Sequence, residues 1–161
     1  MSKILYIDGI RLHRALVAGI QRVISREDHL NKINVFPVPD CDTGTNLAFT
    51  FEAILSGTKS QVHSNLGQML SVVAESALDG ARGNAGVLFA QYLRGLSESG
   101  SKLDKMDTRQ FSEVIQTGVE YAYGAFLEPR EGTILTVITD FSNQLKHSVK
   151  EGLDDFQELI R

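Results

Sequence analysis

Tryptophan is absent from this 161-residue chain, cysteine occurs once and proline only three times. A lone cysteine, Cys41, excludes an internal disulfide framework and points to a reducing compartment, so a cytoplasmic protein is expected. No stretch approaches the roughly 20 apolar residues that a membrane-spanning helix needs. The opening Met-Ser-Lys-Ile-Leu-Tyr-Ile-Asp likewise lacks the apolar run of a signal peptide. Positive charge is scarce: 16 Lys and Arg face 20 Asp and Glu, for a net −4. With no dense basic run, a general nucleic-acid binder is excluded. A polyanion could be met only locally, by a metal ion or by backbone amides.

Two of the three prolines stand almost together, in Asn34-Val35-Phe36-Pro37-Val38-Pro39-Asp40-Cys41-Asp42-Thr43-Gly44-Thr45-Asn46. Pro37 and Pro39 stiffen the approach and favour extended backbone, so a rigid arm delivers Asp40 and Asp42. Thr43, Gly44, Thr45 and Asn46 then offer small donors, and the helical spacing of Leu47, Phe51, Ile54 and Leu55 puts them at a helix N-terminus. Carboxylates suit Mg²⁺ and a helix start suits phosphate, so the stretch describes a site for a magnesium–nucleotide complex. On its own, Asp-x-Asp fits a helix cap and a solvated turn as well. An EF-hand is excluded, because Gly44, Thr45 and Phe51 occupy the fifth, sixth and twelfth loop positions.

The rest of the chain reads as helix. Leu12, Leu16, Ile20 and Val23 define a first helix capped by Asp8 and running to about Arg26, followed by a short piece from Asp28 to Lys32. The helix after the aspartates should fade near Ser56-Gly57. Leu66 to Ala77 marks the next, ending near Asp79-Gly80. The turn Gly80-Ala81-Arg82-Gly83-Asn84-Ala85-Gly86 opens a helix carrying Val87, Leu88, Tyr92 and Leu96. Ser97 to Lys105 reads as a surface connection. A helix from Phe111 to Phe126 should stop at Pro129, and Glu131-Gly132-Thr133 should start the last long one, Ile134 to Val149. Asp154 to Arg161 begins a further helical turn or two. Period-two alternation is too brief anywhere to argue a sheet. The expectation is an all-α, antiparallel bundle of six main helices in a single domain over residues 1–161.

Three turns rich in Gly, Thr or Asn thus precede helices, and whether they converge is left open by the sequence. The Gly80–Gly86 turn is not a Walker A loop, since no Lys-Ser or Lys-Thr ends it, and no strand precedes it as a dinucleotide fingerprint requires. Arg82 suits either a phosphate contact or a surface cation. The four histidines, His13, His29, His63 and His147, have no i,i+4 pair and make no zinc site. Cys41, between two carboxylates, is expected to be an inert thiol.

Asn34-Val-Phe-Pro-Val-Pro-Asp40, Asp42-Thr-Gly-Thr-Asn46, Gly80-Ala-Arg-Gly-Asn84 and Glu131-Gly-Thr-Ile-Leu-Thr136 together resemble the N-terminal kinase domain of bacterial fatty-acid kinase. That domain is related to the nucleotide-binding subunit of dihydroxyacetone (glycerone) kinases. The resemblance covers nearly the whole chain. It implies a helical bundle or barrel of about six to eight helices that holds ATP or ADP and two Mg²⁺ ions at one end. It makes Asp40 and Asp42 metal ligands and catalytic residues, with Asn34 a third candidate ligand. It assigns the phosphates to Thr43, Gly44, Thr45 and Asn46, the β/γ region to Gly83, Asn84 and Ala85, and the nucleotide's surroundings to Gly132, Thr133 and Ile134. Phosphoryl transfer would go to a fatty acid held by a separate lipid-binding protein. A glycerone-kinase-type subunit, a non-catalytic nucleotide-responsive docking module and a ligand-free scaffold are the alternatives, and a homodimer stays open.

Three departures from the family pattern stand out. Cys41 replaces a usual glycine, and Ala85 replaces a usual serine. The family domain also continues beyond residue 161, through a glycine-rich segment over the nucleotide, so a missing C-terminal part is expected.

Overall fold

The computed structural model describes residues 3–160. Its secondary structure is almost wholly helical: α1 Gly9–Ile24, α2 Glu27–Ile33, α3 Thr43–Thr58, α4 Leu66–Asp79, α5 Gly83–Gly100, α6 Thr108–Gly124, α7 Ile134–Lys150 and α8 Phe156–Leu159. The all-α expectation holds, with six long helices and two short ones among the described residues.

Most starts are written locally. Asp8, Asn65, Asp107 and Thr133 each sit in extended backbone and accept from an amide two or three residues on, satisfying one of the donors a helix start leaves free. At α6 the cap is reciprocal, with the Gln110 side chain accepting from the Asp107 amide. The core forms where the apolar stripes meet. Ile54, Leu66 and Met69 are completely buried, and each contributes about 1.5–3 kcal/mol by leaving water. Phe51 meets Phe89 edge-on at 4.9 Å, locking α3 to α5.

Several boundaries differ from the sequence expectation. The first helix ends at Ile24 rather than Arg26, and the Asp28–Lys32 piece proves to be a full helix, α2. The helix that should fade at Ser56-Gly57 continues to Thr58, and α5 continues through Ser97 to Gly100. Helix α6 stops at Gly124, five residues short of Pro129, where the chain turns before the proline acts. The chain also contains a sheet, against expectation: β1 (Ile7–Asp8) pairs antiparallel with β2 (Lys105–Met106). Two residues per strand cannot show an alternation. The ladder ties the starts of α1 and α6 together. The final turn is α8, Phe156–Leu159, and Arg161, at the end of the expected segment, lies outside the described residues.

Contacts fix the directions. At one end, Gly9 N donates to Ser64 O, Gly67 N to Leu103 O, and Thr108 Oγ1 to Leu153 O, so α1, α4 and α6 start there. Helices α3, α5 and α7 start at the other end. That end carries the aspartate motif.

Candidate functional site

The start of α5 lies directly against α3. A Cβ on Gly83 would run into the Asn46 side chain, and Gly83 has φ +56°, a left-handed conformation that glycine adopts without penalty. The fully buried Thr50 fixes the turn beneath, its Oγ1 accepting from Arg82 N (3.2 Å) and donating to Asn46 O (3.0 Å). The third turn meets the proline arm: a Cβ on Gly132 would sit 3.9 Å from Phe36 Cδ1. The three small-residue turns therefore gather at one end of the bundle, around the arm that carries Asp40 and Asp42.

That arm is held from below. Asn34 Oδ1 accepts from Asp42 N (3.2 Å), Thr43 N (3.1 Å) and Thr43 Oγ1 (2.7 Å), while its Nδ2 donates to Val38 O at 3.1 Å. One turn earlier on α2, Asn31 Oδ1 accepts from Gly44 N (2.7 Å) and Thr45 N (3.2 Å). The first-turn amides of α3 are thus occupied by two side chains of the preceding helix and linker. Thr45 Oγ1 donates to Glu27 Oε1 at 2.7 Å and accepts from Asn31 Nδ2 at 3.0 Å, so its hydroxyl is engaged as well. Asp42, at the N-cap position, makes no cap bond with its own side chain. The simple view of Asp42 as a helix cap fails.

Asp40 and Asp42 are exposed, and among the described residues neither carboxylate has a hydrogen-bond or ion-pair partner. Cys41 between them has φ +54°, which explains why glycine suits that position. Among the described residues no cluster of three or more His, Cys, Asp or Glu could cage a metal. Mg²⁺ needs no such cage, because it commonly takes one or two carboxylates and completes its shell with water and phosphate oxygens. Two unpaired hard oxygen donors on a braced turn fit that habit. Asn34 fits it less well as a direct ligand, since three donors already converge on its Oδ1.

The start of α5 is open by contrast. Its N-cap residue, Arg82, makes no side-chain cap bond, and among the described residues the amides of Gly83, Asn84 and Ala85 find no protein acceptor. Arg82 itself lies over the Phe49 ring at 4.9 Å, a cation–π contact that uses the charge locally. At the start of α7, Thr133 caps Leu135 N, and Thr136 Oγ1 accepts from Gly132 N and donates to Glu131, leaving the amides of Thr133 and Ile134 without an acceptor among the described residues. A hollow of about 140 Å³ at this end is lined by Glu27, Thr45, Ala48, Phe49 and Glu52; a second, about 300 Å³, lies away from it on the α3–α4 seam, beside Ser56 and Gly57 in the last turns of α3 and Ser76 and Asp79. Neither includes the two aspartates, which stand on an open face.

Glu27, Asn31 and Thr50 did not stand out in the sequence. The signal for Asn31 was its one-turn spacing from Asn34, which puts both amides on one side of α2. A single polar residue inside an apolar stripe was the signal for Thr50.

Comparison with known proteins agrees with the motifs. The chain is 35% identical over 154 residues to an uncharacterized protein of Staphylococcus saprophyticus, covering 96% of this chain and 28% of that protein. An uncharacterized protein of Staphylococcus epidermidis is 34% identical over 148 residues, covering 92% of this chain and 27% of its own length. A third, from Staphylococcus aureus, is 35% identical over 134 residues, covering 83% and 24%. The chain therefore spans about a quarter of these relatives. No described helix is long and apolar enough to cross a membrane. The pattern of the DAK2 domain matches residues 37–161, starting within the proline arm and including all three turns, and the chain belongs to the DAK2 domain family.

Proposed function

We propose that the end formed by the proline arm and the starts of α3, α5 and α7 binds a magnesium–nucleotide complex and serves phosphoryl transfer from ATP. One observation carries this: two carboxylates without protein partners stand beside a helix start whose first amides are free. Asp40 and Asp42 would hold the two Mg²⁺ ions, which when bound offset the phosphates' negative charge. Gly83, Asn84 and Ala85 would present amides to phosphate oxygens, with helix α5's dipole behind them. Thr43, Gly44, Thr45 and Asn46 would shape the floor between these groups, and Gly132, Thr133 and Ile134 the far wall. Phosphoryl transfer needs little beyond positioning and charge neutralisation, so the composition suits it.

The acceptor would be carried by another domain or another protein. DAK2 membership supports a subunit of the glycerone-kinase type more directly than it supports a fatty-acid acceptor. The narrower fatty-acid proposal, with a lipid-binding partner, rests on the Asn34–Asp40 spelling. Ala85 gives an amide but no hydroxyl, which favours a nucleotide-responsive docking module as the second reading. Calorimetry with ADP, with and without Mg²⁺, tests the shared claim. Binding strengthened by Mg²⁺ is expected, and no binding at millimolar nucleotide by the folded protein would sink both readings. Turnover of ATP with candidate acceptors, glycerone and a protein-bound fatty acid, then separates kinase from docking module.

A further inference from the structure

Among the described residues aspartate begins four helices, and three of them behave alike. Asp8, Asp107 and Asp155 have extended backbone (φ/ψ −98/178°, −84/−179° and −107/119°) and turn their carboxylates back to accept from Arg11, Gln110 and Gln157 amides. Asp42 has φ/ψ −119/−1° and bonds no amide of its own helix. A capping aspartate ordinarily stabilises its helix, so a carboxylate turned elsewhere requires that those amides be satisfied by something else. Here Asn34 takes the amides of Asp42 and Thr43, and Asn31 those of Gly44 and Thr45. Glu27 sets the orientation of the Asn31 amide through Thr45, whose hydroxyl donates to the carboxylate and so accepts only from Asn31 Nδ2. Neutral amide oxygens fill the donors without adding a competing charge.

We infer that Asn31 and Asn34 are positioning residues for the cation site: Asn31 caps α3 in place of Asp42 by taking the Gly44 and Thr45 amides, Asn34 fixes the Asp42 backbone through its amide, and together they keep that carboxylate off its own helix and available to a divalent metal. The inference rests on the phosphotransfer reading above. It differs from making Asn34 a ligand, because the asparagines then act only through Asp42.

A double-mutant cycle distinguishes the two. ADP binding by the full chain is measured by calorimetry with Mg²⁺ and with chelator, for wild type, Asn31→Ala, Asp42→Asn and the double variant. Asn31→Ala frees the Gly44 and Thr45 amides and should reduce the Mg²⁺-dependent enhancement by about tenfold, the scale of pulling a carboxylate from a cap it can now make. Chelator-state affinity should stay unchanged, a split that general loosening of the fold would not give. In the Asp42→Asn background, Asn31→Ala should cause no further loss of enhancement. Asn34→Ala, which frees the backbone under the Asp42 carboxylate, supplies a second cycle should Asn31→Ala fail to fold, with circular dichroism as the check. Additive losses would mean that the asparagine acts on the metal directly and not through Asp42, and an unchanged enhancement would remove its role; either overturns the inference alone. Absence of Mg²⁺-dependent binding in the wild type would overturn the phosphotransfer reading and this inference with it.

Discussion

The starts of α3 and α5 lie side by side at the same end of the bundle and are finished in opposite ways. At α3 every first-turn amide has a partner, supplied by Asn31 and Asn34, and the carboxylates at its mouth have none. At α5 the N-cap residue is an arginine occupied with Phe49, and the first amides have no acceptor. One start thus presents unneutralised negative charge and the other unneutralised positive dipole. Under the proposed phosphotransfer reading, a metal–phosphate complex would join the two. Helix starts in one fold thus differ in what they leave free according to whether a neighbouring element supplies their caps.

The difference can be broken at either side. Asp42→Asn should have the largest effect, lowering ATP turnover at least about a hundredfold, the scale of losing a preorganised electrostatic group. Because the Asp42 side chain makes no bond in the fold, the melting temperature should stay near that of wild type. A turnover loss of roughly tenfold or less would remove Asp42 from the set of ligands.

Gly83→Ala attacks the other start. The left-handed backbone at φ +56° costs an L-residue about 1–2 kcal/mol, and the added methyl collides with Asn46. Chemical denaturation should show at least that loss, with nucleotide affinity falling in parallel as the amides of α5 withdraw from α3. Unchanged affinity in a variant destabilised by this amount would show that the α5 start contributes nothing to the ligand.

Cys41→Gly sharpens the contrast with a smaller effect of opposite sign. Relief of the φ +54° backbone gains about 1–2 kcal/mol, and the extra freedom of glycine in the unfolded chain costs about 0.5–1 kcal/mol. A net stabilisation below about 1.5 kcal/mol is expected from those two figures, read by the denaturation midpoint, with Mg²⁺-dependent binding retained.

The smallest effect belongs far from this end, at the exposed Lys3–Asp154 ion pair (2.8 Å). Asp154 is held below the ordinary carboxylate range by its hydrogen bond and charge contact with Lys3, and Lys3 is raised by the same partner. Any stabilisation from Asp154 is therefore present above its unfolded pKa and lost as pH falls through the lowered folded value. That from Lys3 is present below its unfolded pKa and lost as pH rises through its raised one. Both groups are fully exposed, so Asp154→Asn should leave the melting temperature within experimental error at neutral pH. A resolvable drop would mean that this contact anchors the N-terminal segment to the region preceding α8.

The helical class, the long helices and the Asp8 cap were legible because each depends on residues within a turn of one another. Asp107 and Gln110 carry the same kind of local signal three residues apart, yet the sequence reading began that helix only at Phe111. The same locality explains the misses. The ladder of Ile7–Asp8 with Lys105–Met106 joins residues nearly a hundred positions apart and leaves no periodic trace. Helix α2 is amphipathic over too few residues to stand out, yet it supplies the caps of α3.

By itself the sequence determined that this chain is a helical bundle, that two carboxylates follow a stiff arm, and that three small-residue turns open helices. Local spacing and backbone chemistry suffice for each of these. Only the tertiary structure decided that the turns share one end, that Thr50 and Asn46 seat Gly83, and that Asn31 takes the amides an Asp42 cap would use while Asn34 holds the Asp42 backbone. Those outcomes depend on how α2, α3 and α5 pack, and competition for an amide is settled by whichever acceptor the packing brings within about 3 Å.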